Sequence, residues 1–230
     1  MEAWVDSIWE KMVAKMTGAG EKAKEADVIP YFGRGSHWDG APFEGNAWGT
    51  NGFWPAMMWQ MYHATGDERY AEDAHRVQTK LKGELDRYID LHHDVGFQYL
   101  LSFGAEYGLD EENIEAKNNA LHAASLLAGR YNLNGFIRAW NGEGREGWAI
   151  VDCLMNLSLL YWASRQLDDP RFTMIAKKHA DTSIEHFLRE DGSCNHIVIF
   201  DAYTGEVLNK PGGQGFGPGS SWSRGQAWAP

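Results

Sequence analysis

The chain has few cysteines, little positive charge and no long hydrophobic run. Its two cysteines, Cys153 and Cys194, are too few to stabilise a fold of 230 residues by disulfide bonds, and they lack metal-ligand spacing. We therefore expect free thiols. With 21 basic against 32 acidic residues the net charge is −11, which argues against a nucleic-acid partner. The longest apolar segment, residues 149–163, is interrupted by Asp152 and is too short to cross a bilayer, so no membrane partner is expected.

The amino terminus, MEAWVDSIWEKMVAKM, lacks the basic start, apolar block and small-residue cleavage site of a secretory signal. A cytoplasmic location is therefore expected. What the chain does have is 11 tryptophans and 26 glycines. Rigid aromatic rings and glycine-rich loops suit carbohydrate recognition, although a large core uses the same rings.

The apolar residues follow a helical period of two kinds. Amphipathic helices with one apolar stripe are predicted over residues 4–16, 68–88, 111–130 and 172–189. Three other segments are apolar on nearly every side, which is typical of buried helices, namely residues 54–65, 97–107 and 149–164. Buried and surface helices therefore alternate along the chain.

This alternation predicts an all-α fold, an (α/α)6 barrel or six-hairpin toroid, in which inner helices are ringed by outer ones. The long loops each precede an inner helix and therefore open on the same end of the barrel; they cover residues 29–52, 89–95, 133–148 and 193–221. In the last loop, CNHIVIF and DAYTGEVL predict a short β-hairpin.

The segment SSWSRGQAWAP predicts the start of an eighth helix with serine caps, and the sequence stops there at Pro230. We therefore expect residues 1–230 to form the amino-terminal part of a single α/α-barrel domain, without its closing carboxyl-terminal helices. Inner helices whose apolar surface is exposed at the open edge of the barrel would drive self-association.

Four segments carry a resemblance to a known family. They are WGTNGFWPAMMWQMYHATGDERY, HHDVGF, IVDCLMNLSLLYWAS and SSWSRGQAWA, and they stand in that family's order. In these motifs the chain resembles the unsaturated glucuronyl hydrolases of glycoside hydrolase family 88. The related unsaturated rhamnogalacturonyl hydrolases share the architecture and differ around the first aspartate, so they are the second choice.

The resemblance implies an (α/α)6 barrel that releases 4,5-unsaturated uronic acid from the non-reducing end of oligosaccharides made by polysaccharide lyases. In this family a carboxyl group protonates C4 of the vinyl ether, water adds at C5, and the hemiketal falls apart. Carboxylate-spacing rules for ordinary glycosidases therefore do not apply. The alternative is an inactive or sugar-binding fragment of such an enzyme.

By motif, Asp152 matches the family's general acid and base, and Asp94 its second essential aspartate. Residues that line the sugar subsite in the family are matched by Trp48, Trp140, His196, Gln214, Arg224 and Trp228. Among the remaining tryptophans, those at helical core spacing are assigned to packing.

The residues alone leave other roles open. Burial in an apolar helix raises the pKa of Asp152, but a structural carboxyl paired with Arg145 would occupy the same position. Asp94 precedes an apolar helix, where capping is the default role. Arg224 could pair with a surface acid, and a lone histidine such as His196 is more often structural.

No cofactor and no metal are expected. His92 and His93 lack further ligands at suitable spacing, and the proposed chemistry needs none. The expected partner is an unsaturated uronic-acid oligosaccharide. Because the whole chain is acidic, its attraction to an anionic sugar must be local, arising from Arg224, His196 and the starts of the inner helices.

Overall fold

A computed structural model describes residues 3–35, 37–40 and 45–229 of the chain. Parts of the predicted loop 29–52 and the last residue, Pro230, lie outside the described residues. Most of the described chain is helical. No described helix combines the length and the apolar character that crossing a lipid bilayer requires.

The helices and strands are numbered in chain order. The helices are α1 (Ala3–Glu25), α2 (Phe53–Thr65), α3 (Glu68–Arg87), α4 (Val95–Tyr99), α5 (Ala105–Leu109), α6 (Ile114–Gly129), α7 (Cys153–Leu167), α8 (Pro170–His186) and α9 (Ser223–Trp228). A π-helical turn, Leu100–Gly104, joins α4 to α5. The strands are β1 (Phe32–Arg34), β2 (His37–Asp39), β3 (Tyr131–Asn132), β4 (Phe136–Ile137), β5 (Trp148–Ile150), β6 (Ile197–Phe200) and β7 (Val207–Asn209).

The two predicted kinds of helix are both present. In α2 the buried residues lie on several sides of the helix, among them Trp54, Ala56 and Trp59. In α3 they form one stripe that includes Val77 and Leu81. Pairs of neighbouring inner and outer helices pack together, α2 with α3 and α7 with α8, while α4 packs on both α6 and α7. The predicted α/α-barrel fold class is confirmed.

The predicted hairpin is confirmed as the antiparallel pair β6 and β7, but it is part of a larger sheet. Strand β5 adds a third strand, with Trp148 opposite Ile199 and Ile150 opposite Ile197. The helix predicted to start at residue 149 therefore begins only at Cys153. Pairing with β6 outweighs local helical periodicity, because Trp148 and Ile150 also favour extended structure.

Helix α1 forms as predicted, but its apolar stripe is not buried in the way an amphipathic helix implies. Ile8 is 54% exposed and Met12 is 41% exposed, whereas Ala19 and Ala23 near its end are buried. The helix is held at its middle by a hydrogen bond of 2.8 Å between the hydroxyls of Thr17 and Tyr70. Local periodicity identifies the helix but not which part of it contacts the core.

Two inner helices approach one another closely at the starts of α4 and α7. The backbone of Gly96 packs directly on Asn156, so that an added Cβ would overlap the Asn156 backbone. The Asn156 side chain accepts a hydrogen bond from the Phe97 N–H at 2.9 Å and donates one to the Asp152 carbonyl at 3.2 Å. This contact brings the residues just before both helices, Asp94 and Asp152, to one place.

We predict that Gly96→Ala destabilises the chain by at least the ~1–3 kcal/mol that is typical of overpacking. The matched control is Gly83→Ala on α3, where an added methyl group meets nothing within 4 Å. This control should gain about 0.5–1 kcal/mol from the better helix propensity of alanine. Thermal unfolding followed by circular dichroism measures both changes, and equal Tm values for the two variants would contradict the contact.

Candidate active site

Asp94 and Asp152 occupy equivalent positions, each directly before an inner helix. Neither carboxylate makes the side-chain capping hydrogen bond of such a position, so the capping alternative for Asp94 is not found. Instead both approach the same imidazole nitrogen. Nε2 of His93 lies 3.3 Å from Oδ1 of Asp94 and 3.5 Å from Oδ1 of Asp152. The two acids therefore face one another across a fully buried histidine.

The surroundings favour a protonated Asp152. Burial raises its pKa well above the ordinary value of a carboxyl group, and the negative charge of Asp94 raises it further, while the charge of Arg224 acts in the opposite direction. Burial also holds the pKa of His93 well below its ordinary value, so the ring is neutral. A neutral ring cannot neutralise the two acids, which leaves a shared proton as the means of lowering their repulsion.

The structural alternative for Asp152, a salt bridge with Arg145, is not found. The Arg145 guanidinium lies over the rings of Trp140 and Trp148, at 5.5 and 5.7 Å from their centroids. Asp152 is 9% exposed and has no Lys or Arg within salt-bridge distance among the described residues. Its carboxyl group is therefore available for proton transfer.

Arg224 and two tryptophans cover one side of this centre. The guanidinium of Arg224 lies 4.1 Å from the ring centroid of Trp222 and 5.2 Å from that of Trp228. The Trp228 ring in turn packs against Phe97 on α4, with centroids 5.9 Å apart. The alternative for Arg224, a surface salt bridge, is not found in the described part of the chain. Stacking instead holds this cation where its charge acts on Asp152.

His196 is 2% exposed and has a defined hydrogen-bonding state. Its Nδ1 accepts a hydrogen bond of 2.8 Å from the backbone N–H of Gln214, and burial lowers its pKa. The neutral ring therefore carries its proton on Nε2, which makes no hydrogen bond to any residue that the structure describes. Trp222 packs against the ring at 4.5 Å. Nε2–H is thus a buried donor beside the aromatic cover.

Gln214 contacts the site through its main chain. Its side chain is exposed, and it contacts His196 through its backbone N–H. The adjoining Gly213 has a positive φ of 58° and packs directly on the imidazole, where an added Cβ would overlap the ring. The loop therefore orients His196 through its main chain.

Trp48 and Trp140 each lie one residue from a backbone contact with the acid centre, with Asp94 in the first case and with His93 in the second. Gly49, after Trp48, packs directly on the Asp94 carboxylate, and the Trp48 carbonyl accepts a hydrogen bond from Gln98 at 3.4 Å. The Ala139 carbonyl, before Trp140, accepts a hydrogen bond from the backbone N–H of His93 at 3.3 Å. Trp140 packs on Trp148 and Arg145, so it lies beside the loops of the pair but does not stack with the other predicted rings.

His93, Trp222 and Phe97 are not among the site residues predicted from the sequence. The signal for His93 is its position before Asp94 in the HHD triplet. His92, His93 and Asp94 also bring three possible metal-ligand atoms within 4.8 Å of one another. We assign no metal to them, because a bound cation would ionise the neighbouring carboxyl group, whereas the expected chemistry needs that group protonated.

Comparison with known proteins gives a consistent set of relatives, although no protein-family model matches the chain. The chain is 37% identical to an unsaturated glucuronyl hydrolase of Bacillus sp. strain GL1 over 228 residues, which is 96% of this chain and 60% of the relative. It is 37% identical to an unsaturated chondroitin disaccharide hydrolase of Streptococcus agalactiae over 183 residues, 78% of this chain and 46% of the relative.

Solved structures agree with these relatives. The crystal structure of the Bacillus sp. GL1 enzyme matches with a TM-score of 0.85 at 36% identity, covering 96% of this chain and 59% of that one. A mutant of the Streptococcus agalactiae enzyme in complex with dGlcA-GalNAc6S matches with a TM-score of 0.73 at 29% identity, covering 95% and 54%.

Fold and site together define an α/α-barrel protein with a buried pair of aspartates at the starts of two inner helices. The sequence and structure comparisons make the family specific: the chain belongs to the unsaturated glucuronyl hydrolase family. It spans about half to three fifths of the length of the relatives it matches.

The burial of Asp152 predicts a pH-dependent cost in stability. Because the folded-state pKa is raised, the contribution of this group is fully present below the unfolded pKa and is lost as pH rises through the folded value. Asp152→Asn should therefore raise Tm near neutral pH, by about 2–4 °C per kcal/mol relieved. This gain should shrink as the pH approaches about 4, the ordinary carboxyl range.

The measurement is Tm against pH for both proteins, with exposed Asp181→Asn on α8 as the control. A loss of stability in Asp152→Asn that is the same at every pH would contradict a protonated Asp152.

Proposed function

We propose that this chain carries the catalytic centre of a hydrolase that releases 4,5-unsaturated uronic acid from the non-reducing end of lyase-generated oligosaccharides. The observation that carries the proposal is the buried, proton-retaining Asp152 facing Asp94 across His93. The names of the relatives, unsaturated glucuronyl and chondroitin disaccharide hydrolases, support the same substrate class.

The proposed reaction is addition of water across the C4–C5 double bond. Asp152 donates its proton to C4, which leaves positive charge shared between C5 and the ring oxygen. Water attacks C5 and returns a proton to Asp152, so the carboxyl group ends as it began. The product at C5 is a hemiketal, which opens and loses the remaining saccharide. The negative Asp94 stabilises the developing positive charge.

The sugar would be held by local contacts. Arg224 offers a cation for the uronate carboxylate, and the Nε2–H of His196 offers a donor for a sugar oxygen. We assign Trp228 and Trp48 to packing against the pyranose, Trp140 to the rim of the subsite, and Gln214 to the loop that orients His196. These local positive groups oppose the repulsion that a net charge of −11 exerts on an anionic sugar.

A cytoplasmic location and self-association through apolar surface remain predictions. An apolar groove between α7 and α8, lined by Leu157, Tyr161 and Ile184 among others, is a described surface on which association could occur. Light scattering that shows a monomer at all concentrations would contradict self-association.

Removing the proton donor should abolish turnover. We predict that Asp152→Asn and Asp94→Asn each lower kcat/KM by about 10²–10⁴-fold, the range typical of positioned acid–base groups. The assay is the loss of ultraviolet absorbance as the conjugated double bond of an unsaturated glucuronyl disaccharide is hydrated.

Asp181→Asn, on the exposed face of α8, should retain wild-type activity and serves as the matched control. If the wild-type chain binds the disaccharide in calorimetry without any loss of absorbance, the chain is a sugar-binding fragment and not a hydrolase. Full activity of Asp152→Asn would reject the assigned acid.

Arg224 should affect both binding and the pH profile. Its positive charge lowers the pKa of Asp152, so Arg224→Gln should move the alkaline limb of kcat/KM to higher pH and raise KM by about tenfold, as for a lost charge-assisted contact. Arg224→Lys keeps the charge but not the stacking on Trp222. Arg224→Lys should therefore raise KM and leave the alkaline limb of the kcat/KM profile at its wild-type pH. If the alkaline limb does not move in Arg224→Gln, the electrostatic role of Arg224 is contradicted.

A further inference from the structure

Arg130, at the end of α6, is bonded to two loops that border the acid pair. Its guanidinium donates hydrogen bonds to the carbonyls of Arg138 at 2.8 Å and Ala139 at 2.7 Å. It donates a further bond to the side chain of Asn141 at 2.9 Å and a longer one to the Leu91 carbonyl at 3.5 Å. One side chain thus contacts both the segment that leads to Asp94 and the segment that leads to Trp140.

Two further contacts tighten this link. The Asn141 amide donates to the carbonyls of Ile89 and Leu91, at 3.1 and 2.9 Å. The Ala139 carbonyl, already bonded to Arg130, also accepts the backbone N–H of His93. Movement of Arg130 would therefore be transmitted to the residue that lies between the two acids.

The charge of Arg130 is not neutralised locally. No carboxylate lies within salt-bridge distance of its guanidinium among the described residues, and its partners are carbonyl and amide oxygens. Burial lowers its pKa to about 10, which still leaves the group charged at neutral pH. It lines a cavity of about 410 Å³ together with Leu91, Arg138, Asn141 and the carboxylate-bearing Glu146.

We propose that Arg130 is a positioning residue that ties the Asp94 and Trp140 loops together and keeps Asp94 the charged member of the acid pair. The inference rests on the proposed function, since it concerns the same two carboxyl groups. It assigns the asymmetry of the pair to the positive charge of Arg130 acting on Asp94, whereas the charge of Arg224 acts on Asp152.

Other charged and titratable groups face the same region. Arg130 interacts electrostatically with Arg138, Cys153, Tyr88 and Asp94, and it contributes to the lowered pKa of His93. On the opposite side, Asp152 responds to Asp94 and Arg224. Among these groups, only Arg130 both donates a hydrogen bond to the loop that precedes Asp94 and carries a positive charge that favours ionised Asp94.

The test is a titration of the free chain labelled with ¹³C at the aspartate carboxyl carbons, with signals assigned through Asp94→Asn and Asp152→Asn. The pair should titrate in two steps. Arg130→Gln should raise the lower apparent pKa by about one unit, as expected for a buried unit charge removed at moderate distance. Arg130→Lys should leave this step within a few tenths of a unit, as should the control Arg138→Gln.

An unchanged lower step in folded Arg130→Gln overturns the inference, as does an equal rise in Arg138→Gln. Should Arg130→Gln not fold, hydrogen exchange at the His93 amide decides. Faster exchange in both Arg130→Lys and Asn141→Ala supports the loop link, and wild-type exchange in both overturns it. The titration needs no substrate, so a chain that shows the expected shift without turnover counts against the proposed function alone.

Discussion

The mutual repulsion of two carboxylates in a buried place is the constraint on which this site depends. Asp94 and Asp152 meet because α4 and α7 approach so closely that Gly96 can carry no side chain. Both carboxylates lie within 3.5 Å of the same nitrogen of a neutral His93, so both acids cannot be charged without a large cost. The helix contact therefore sets the protonation state, and the protonation state sets the chemistry.

The sequence is informative where the physical signal is local. Alternating amphipathic and fully apolar segments identify the inner and outer helices, because each helix must bury its own apolar face. Asp152 is recognisable because an acid within an apolar segment is unusual. Contacts between distant segments have no such signal, which is why the pairing of Trp148 with Ile199 and the exposure of Ile8 escape prediction.

The same limit applies within the site. A residue directly before a helix is normally a cap, and only the structure shows that Asp94 turns its carboxylate towards His93 instead. Gln214 is predicted to line the sugar subsite, and the structure shows that its backbone N–H orients His196. The motif identifies Gln214, but the atom that contacts His196 depends on a fold that brings residues 196 and 214 together.

Polar groups at this centre are left incompletely bonded by the described residues. Oδ1 of Asp152, Nε2 of His196 and Nε1 of Trp48 are buried without a hydrogen-bond partner among them. Each such group typically costs about 1–3 kcal/mol, so a fold selected only for stability would pair them. A ligand rich in hydroxyl groups can satisfy a donor and an acceptor with the same oxygen. The unmet hydrogen bonds, together with the charge cost of the acid pair, are thus a form of preorganisation, in which binding of the proposed saccharide would recover energy that folding has left unused.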